Sequence, residues 1–330
     1  MPTRPEEGPR MAGNQRSTEN GSPQQEASAP TELPKRSWTG SMRRTVAEFR
    51  DDNLLDLAAA LTYYAVLSIF PALLVLVSLL GLAGRSATRA LTDSISAAPA
   101  DVASVLTSIL ENVQRSQATA GIFGLIGLAV ALWSASGYIG AFMRASNVIY
   151  DVPEGRPIYK TLPIRVGVTL LMVVLLAVAA VAVVVTGGLA EQAGQLLGLG
   201  PTAVMVWRIA KWPVLLFVVA FMISLLYWAS PNAKRGFRWV TPGSVLAIVI
   251  WLLASGAFAV YLANFASYNQ TYGSMAGVII FLVWLWITNI AILLGEEFNA
   301  ELERGRALAE GHPETEEPYV ELRDIPKKQR

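Results

Sequence analysis

Long apolar segments recur along the chain and are separated by polar connections. Residues 58–82 and 166–190 contain no charged side chain, and each run can cross a hydrocarbon layer of about 30 Å at about 1.5 Å per residue. Apolar residues occur all round these segments instead of along one stripe, which is typical of helices in contact with lipid. The pattern therefore predicts an all-α polytopic membrane protein with about six transmembrane helices. The predicted spans are residues 58–82, 121–142, 163–190, 203–229, 242–265 and 274–295.

Two amphipathic segments accompany the first span. Trp38, Met42, Val46 and Phe49 recur at helical spacing with arginines between them. This pattern fits a helix that lies on the membrane surface, and it equally fits a plain extension of the first span. Residues 85–120 also carry apolar side chains at helical spacings, so we expect short helices between spans one and two.

The two ends of the chain differ from its middle. Residues 1–37 are rich in Pro, Glu, Ser, Gln and Arg, which predicts a disordered cytoplasmic tail. Residues 305–330 are charged and contain proline, and they predict a second, mobile tail. Residues 38–304 are expected to form one transmembrane domain.

The distribution of basic residues predicts the orientation, because cytoplasmic connections normally carry the excess of Lys and Arg. These residues are dense before span one and recur in the second and fourth connections, whereas residues 266–273 contain none. Arg85, Arg89 and Arg115 oppose this trend, but the N-terminal cluster is larger. We therefore expect a multi-pass membrane protein with both termini in the cytoplasm.

Composition excludes several kinds of site. The chain has no cysteine and a single histidine, His312, so it has no thiolate nucleophile and no metal centre built from several histidines. A net charge of +1 gives no overall field for nucleic-acid binding. We expect no cofactor, no bound metal and no nucleic-acid partner.

Polar side chains within spans are costly and are therefore the best candidates for a functional site. In span one they are Tyr63, Tyr64, Ser68 and Pro71. Pro71 leaves a carbonyl about one turn earlier without its helical donor, and we expect Ser68 or a neighbouring helix to satisfy it. The resulting bend either shapes the bundle or forms a substrate-binding break.

Spans two and six carry the charged candidates. Arg144 and Asn147 share one face of span two, and Arg144 either snorkels to the headgroups or pairs with an acid from another helix. Since Arg144, Glu296 and Glu297 all lie at the cytoplasmic ends of their spans, we hypothesise that one of the glutamates pairs with Arg144. Such an acid is also a candidate proton carrier. The polar candidates of span six are Asn289, Glu296, Glu297 and Asn299.

Two connections combine aromatic and polar residues. Tyr268 and Tyr272 lie in the external turn before span six, where they form either an aromatic belt or a polar vestibule for substrate. The fourth connection is basic and aromatic, which suits anionic headgroups and also suits a plain determinant of topology. Its residues are Lys234, Arg235, Phe237, Arg238 and Trp239.

Five short motifs occur in order between about Trp38 and Arg304. They are Tyr63-Tyr64-Ala-Val-Leu-Ser68-Ile-Phe70-Pro71, Arg144-Ala-Ser-Asn147-Val-Ile-Tyr150, Trp239-Val-Thr-Pro242-Gly243, Tyr268-Asn269-Gln-Thr-Tyr272-Gly273-Ser274 and Gly295-Glu296-Glu297-Phe298-Asn299. As a set they resemble the YihY/virulence factor BrkB family of bacterial inner-membrane proteins. The family's last motif has Gly-Ala-Glu, so Glu297 matches the family acid and Glu296 is a departure from the pattern.

The resemblance implies a membrane protein whose molecular activity is poorly settled. Members have been described as ribonuclease BN, as serum-resistance factors and as transporters, including of envelope lipids. A single histidine argues against the ribonuclease label. The leading hypothesis is a transporter or lipid translocator, which would lack its own ATPase because the chain has no P-loop. A non-transport envelope-organising or partner-binding protein is the second hypothesis, and an intramembrane enzyme the third. Expected partners are membrane lipids, a homo-oligomer or an envelope partner.

Overall fold

The protein is described here from a computed structural model, which covers residues 35–82, 122–184, 201–264 and 274–326. These residues are almost entirely helical, which confirms the all-α prediction. The predicted short helices within 85–120 lie outside the described residues. The helices are α1 (Lys35–Asp51), α2 (Leu54–Leu82), α3 (Ile122–Ala135), α4 (Gly137–Ile149), α5 (Ile158–Val184), α6 (Pro201–Ala229), α7 (Pro242–Asn264) and α8 (Ser274–Ala309).

Four of the described helices are apolar and long enough to cross a membrane. They correspond to the predicted spans three to six, and α2 adds a shorter apolar segment, Leu54–Ile69. The integral membrane character predicted from the apolar runs agrees with this finding. The four candidate segments are Ile158–Ala179, Met205–Ala229, Pro242–Ala263 and Ala276–Ala309.

The predicted second span is two helices in the structure. The boundary between α3 and α4 falls at Ser136, although the amide of Ser136 still donates to Leu132 at 3.0 Å and the amide of Gly140 donates to Ser136 at 3.0 Å. Helix α4 then continues seven residues beyond the predicted end, to Ile149. Most of that extension is buried among the other helices, so its polar residues did not end the helix.

The core lies where α2, α4, α6 and α8 meet. Phe142 and Tyr227 stack with ring centroids 6.3 Å apart, and Leu54 and Leu293 complete the fully buried centre. These residues lie near the ends of their apolar segments. The best-packed part of the described bundle is therefore next to the connections, and this is where the polar candidates of spans two and six lie.

Helices α1 and α2 are separate, so α1 is not a plain extension of the first span. Asn53 has a φ of 51°, and asparagine is one of the residues that tolerates this left-handed backbone. Helix α1 packs against the end of α8, where the Ser41 hydroxyl donates to the Glu301 carbonyl at 3.0 Å. Trp38 lies beside Phe298, while Val46 is exposed.

Helix α8 continues well past the predicted end of span six at residue 295. The polar sequence after Gly295 ends the apolar segment but not the helix, because Glu297, Glu301 and Leu302 are buried against neighbouring elements. The helix ends at Ala309, so the predicted tail boundary at residue 305 falls inside it.

Residues 310–326, expected to belong to a mobile tail, return to the bundle in the structure. Leu322 forms an antiparallel bridge with Ala233, and the side-chain amide of Asn232 donates to the Asp324 carbonyl at 2.8 Å. Arg323 donates to the carbonyl of Trp228, in the last turn of α6, and to that of Ala233 at 2.7 Å. The first of these bonds satisfies a carbonyl group of the kind that helix ends leave unpaired.

Helices α7 and α8 approach each other at two glycines. A Cβ atom added at Gly243 would overlap the carbonyl oxygen of Gly295, and one added at Gly295 would overlap that of Gly243. Close backbone approach through small residues is a common way for helices to pack in membranes.

We predict that Gly295→Ala lowers the free energy of unfolding by about 1–3 kcal/mol, because the added methyl group pushes α7 and α8 apart. The matched control is Gly277→Ala on the same helix, where a Cβ atom meets nothing within 4 Å. Thermal unfolding in detergent gives the unfolding midpoint of each purified variant. Equal midpoints for the two variants would contradict the predicted packing.

Candidate functional site

Two adjacent glutamates of α8 lie buried near the end of its apolar segment. Glu296 is 0% exposed and Glu297 is 2% exposed. Each has one carboxylate oxygen, Oε1 of Glu296 and Oε2 of Glu297, that is buried with no hydrogen-bond partner. An ionised carboxylate at such a position is expensive unless a cation or several donors compensate it.

The two glutamates face different neighbours. The Ser146 hydroxyl of α4 donates to Oε2 of Glu296 at 3.0 Å. The Glu297 side chain lies within hydrogen-bonding reach of the carboxyl group of Asp52, which lies in the turn between α1 and α2. A hydrogen bond between two carboxyl groups requires a proton between them, because an ionised carboxylate only accepts.

The cations near this pair are engaged elsewhere. Arg44 of α1 forms an ion pair with Glu301. Arg304 pairs with Glu48 at 3.0 Å and with Glu301 at 3.3 Å. Glu301 and Glu48 therefore take the positive charge of these two arginines. We infer that a shared proton, and not a cation, stabilises the contact between Asp52 and Glu297.

The electrostatics outside the apolar segments agree with this geometry. Burial, together with the negative charges of Asp151 and Glu48, raises the pKa of Asp52 from 3.8 to about 7. Burial, with Glu317 and Glu48 adding to its effect, raises the pKa of Asp151 to about 6. Both acids change charge within the physiological range, which is typical of functional sites.

A small cavity adjoins the carboxyl pair. It has a volume of about 20 Å³, which is enough for a water molecule. Its polar lining residues are Glu48, Asp52, Tyr150, Asp151, Glu297, Glu301, Arg304 and Tyr319.

Deeper in the bundle, hydrogen bonds connect three helices at Asn289. Tyr138 of α4 donates to Oδ1 of Asn289 at 2.9 Å, and Nδ2 of Asn289 donates to the Thr62 hydroxyl of α2 at 3.0 Å. Thr62 donates in turn to the Ala58 carbonyl at 2.8 Å. Asn289 is therefore satisfied and joins α2, α4 and α8.

Comparison with known sequences identifies the family. Residues 45–319 match the sequence profile described as virulence factor BrkB. The chain belongs to the virulence factor BrkB family. The resemblance first seen in the five short motifs is thereby confirmed.

Relatives of this BrkB-family chain are named as membrane or ribonuclease-like proteins. Bacillus subtilis (strain 168) YfkH, which is named ribonuclease-like, is 32% identical over 78% of this chain and 92% of the relative. A UPF0761 membrane protein of Alkalilimnicola ehrlichii is 31% identical over 78% of this chain but only 57% of its own length. UPF0761 membrane protein MS0032 of Mannheimia succiniciproducens is 28% identical over 80% of this chain and 89% of the relative. No solved structure matches.

The residues of the BrkB-type motifs make contacts in different parts of the structure. The Asn147 side chain donates to Glu154 at 3.0 Å and accepts from the backbone amide of Asn232 at 2.8 Å. These bonds join the connection after α4 to the connection after α6. Asn299 accepts from the Gly243 amide at 2.9 Å at the start of α7. Both amides have structural partners, whereas Glu297 keeps an unpaired oxygen.

The hypothesis that Arg144 pairs with Glu296 or Glu297 is wrong. Arg144 donates to the Gly140 carbonyl at 2.9 Å, and its guanidinium lies 5.3 Å from the centroid of the Tyr64 ring. The side chain is exposed and contacts its own helix and the Tyr64 ring of α2, away from both acids. Span position alone did not indicate that Glu296 faces Ser146 of α4 and that Glu297 faces the α1–α2 turn.

The remaining candidates of span one lie apart from the acids. Tyr63 is exposed and packs edge-on against Tyr64 with ring centroids 5.5 Å apart. Helix α2 continues through Pro71, and the Ser68 hydroxyl is buried without a hydrogen-bond partner, so it does not satisfy the freed carbonyl. Tyr268 and Tyr272 lie outside the described residues.

Sequence reasoning missed Asp52 and Tyr138. The Asp52-Asn53 pair follows an amphipathic segment, and such residues often mark a helix break, but no periodicity connects Asp52 with Glu297. Tyr138 lies within an apolar run, where a buried hydroxyl usually needs a partner. That requirement was the available signal for its bond to Asn289.

We predict that Asp52→Asn weakens the pH dependence of stability. Because the pKa of Asp52 is raised in the folded protein, the folded state binds more protons than the unfolded state between about pH 4 and 7, and stability falls as pH rises through this window. The variant should lose less thermal stability than the parent between pH 5 and pH 8.

The matched control is Asp56→Asn, which removes an exposed carboxylate four residues away. It should keep the parent's pH dependence. The same pH dependence in Asp52→Asn as in the parent would contradict the assignment of Asp52.

Proposed function

We propose that this BrkB-family protein is a transporter or lipid translocator of the bacterial cytoplasmic membrane, coupled to proton binding at Asp52 and Glu297. It crosses the membrane about six times, with both termini in the cytoplasm. The observation that carries the proposal is the contact between half-buried Asp52 and buried Glu297, which form no ion pair with any described residue, in a bundle of apolar helices.

Buried acids of this kind are poor structural elements. Replacing an ion pair by apolar groups is often neutral or stabilising, and a buried acid without a cation is costlier still. Asn147, Asn289 and Asn299 are explained by their hydrogen bonds, but the unpaired oxygen of Glu297 is not. Proton relays in membrane transporters are built from such acids.

The position of the pair supports a conformational role. Asp52 belongs to the turn between α1 and α2, while Glu297 belongs to α8, so their shared proton joins separate helices. Losing that proton places two negative charges side by side, and the repulsion favours movement of the turn away from α8. The left-handed backbone of Asn53 already breaks the helix in this turn.

A groove on the surface of α2 and α8 favours a lipid-like cargo. It has a volume of about 470 Å³ and is almost entirely apolar, and Thr62, which lines it, belongs to the hydrogen-bond network of Asn289. An acyl chain fits an apolar groove that is open to the bilayer. The groove is lined by Ala59, Thr62, Tyr63, Val66, Leu282 and Trp286.

The composition of the chain argues against a metal-dependent ribonuclease. Metal-dependent ribonucleases activate water with clustered ligands, and one histidine and no cysteine are a poor source of them. Among the described residues, no group of three or more His, Cys, Asp or Glu side chains is arranged to hold a metal ion. The ribonuclease-like name of the Bacillus subtilis relative is said of that protein only.

Reconstitution tests the proposal. Vesicles containing the protein should accelerate either scrambling of a fluorescent phospholipid analogue or proton-dependent solute flux above the rate of empty vesicles. Glu297→Gln should abolish the pH dependence of that rate, because the amide cannot exchange a proton. Rates equal to those of empty vesicles for every cargo and pH would contradict transport.

The matched control is Glu303→Gln. Glu303 lies on the same helix but is partly exposed and lies 3.8 Å from Arg306. This variant should transport with the parent's pH dependence. An equal loss in both variants would contradict a specific role for Glu297.

A further inference from the structure

A second cavity lies between the α6–α7 connection and α8, apart from the carboxyl pair. It has a volume of about 150 Å³, several times the space that one water molecule needs. Three arginines and one glutamate contribute its charged groups, so its lining is net positive. They are Arg235, Arg238, Arg306 and Glu303.

The arginines differ in how far they are already compensated. Arg306 bonds to Glu310 at 2.8 Å and lies 3.8 Å from Glu303, so its charge is largely neutralised. Arg238 forms no ion pair with any residue that the structure describes. The cavity therefore offers an anion the charge of Arg238 together with that of Arg235.

Arg235 is held in place but keeps a free donor. Its guanidinium lies 4.3 Å from the centroid of the Tyr150 ring and donates to the Tyr150 hydroxyl and the Tyr227 carbonyl. Its Nε atom is buried with no hydrogen-bond partner. A buried guanidinium N–H without an acceptor, in a positively charged cavity, is suited to a phosphate oxygen.

The surroundings of the cavity indicate a membrane surface. The candidate membrane segment of α6 ends at Ala229 and that of α7 begins at Pro242, and the connection between them lines the cavity. On either side of Arg238, Phe237 and Trp239 are 38% and 64% exposed. Aromatic residues beside basic ones are typical of the headgroup region.

We propose that this cavity binds the phosphate group of an anionic phospholipid, with Arg235 and Arg238 as its ligands and Phe237 and Trp239 in the adjacent lipid. Exposed aromatic rings at the ends of two spans favour a lipid over a free phosphate ion, which gains nothing from them. The site goes beyond the proposed transport, because it does not involve the Asp52 and Glu297 pair.

A unique thiol tests occupancy of the cavity. The chain has no cysteine, and Gly236 lines the cavity with nothing within 4 Å of an added Cβ atom, so Gly236→Cys should fold normally. Maleimide labelling should be slower in nanodiscs containing phosphatidylglycerol than in nanodiscs of phosphatidylcholine alone. Equal labelling rates would overturn the proposal. So would equal protection by millimolar inorganic phosphate in phosphatidylcholine nanodiscs, because the site would then recognise the free ion.

Two charge-matched variants test the ligand assignment. Arg238→Gln should weaken retention of phosphatidylglycerol, measured by native mass spectrometry, by about fivefold, as expected for one basic residue near a membrane surface. Lys234→Gln removes the same charge from the same connection, but Lys234 is bonded to Glu321 at 3.1 Å with 61% of its side chain exposed, and retention should stay unchanged. Equal losses in both variants, or no loss in Arg238→Gln, would overturn the assignment.

Discussion

The shared proton between Asp52 and Glu297 is the interaction on which this account depends. Burial removes water from Glu297, and the neighbouring arginines are occupied by Glu301 and Glu48. The carboxyl group of Asp52 is then the remaining partner within hydrogen-bond reach, and two carboxyl groups bond only when a proton lies between them. The same contact holds the α1–α2 turn against α8.

Several other buried polar groups of the bundle are satisfied, and their role is structural. Asn289 links three helices, and Asn147 joins two connections. Arg156 pairs with Glu154 at 2.7 Å and donates to the Ser230 carbonyl at 2.7 Å, which holds the end of α6. In a medium without water, each such group needs a partner, and these residues supply one another. The unpaired oxygens of the two buried glutamates stand out against this background.

Much of the fold could be predicted from the sequence because apolar length and helical periodicity are local signals. The predicted starts of spans five and six agree with α7 and α8. The helix break at Asn53 and the continuation of α8 to Ala309 were harder to predict. Polar residues that end an apolar run can still belong to a helix when they are buried against other elements. The family was recognised from five short motifs that occur in order along the chain.

The site was only partly predictable. Asn289, Glu296 and Glu297 were found because polar groups at membrane depth are costly, but their partners come from distant elements. Asp52 and Glu297 lie 245 positions apart along the printed sequence, and no periodicity relates them. The position of Arg144 along its span favours it as the counter-ion of Glu296 or Glu297. The direction in which a side chain points around its helix depends on packing, which the span position does not reveal.

Infrared spectroscopy of the purified protein tests the shared proton most directly, because a protonated carboxyl group and a carboxylate absorb at different frequencies. A shared proton predicts a protonated carboxyl band at pH 7 that is shifted in Asp52→Asn, where Glu297 keeps the proton without its partner, and lost in Glu297→Gln. A spectrum at pH 7 in which neither substitution shifts or removes a protonated carboxyl band would contradict it.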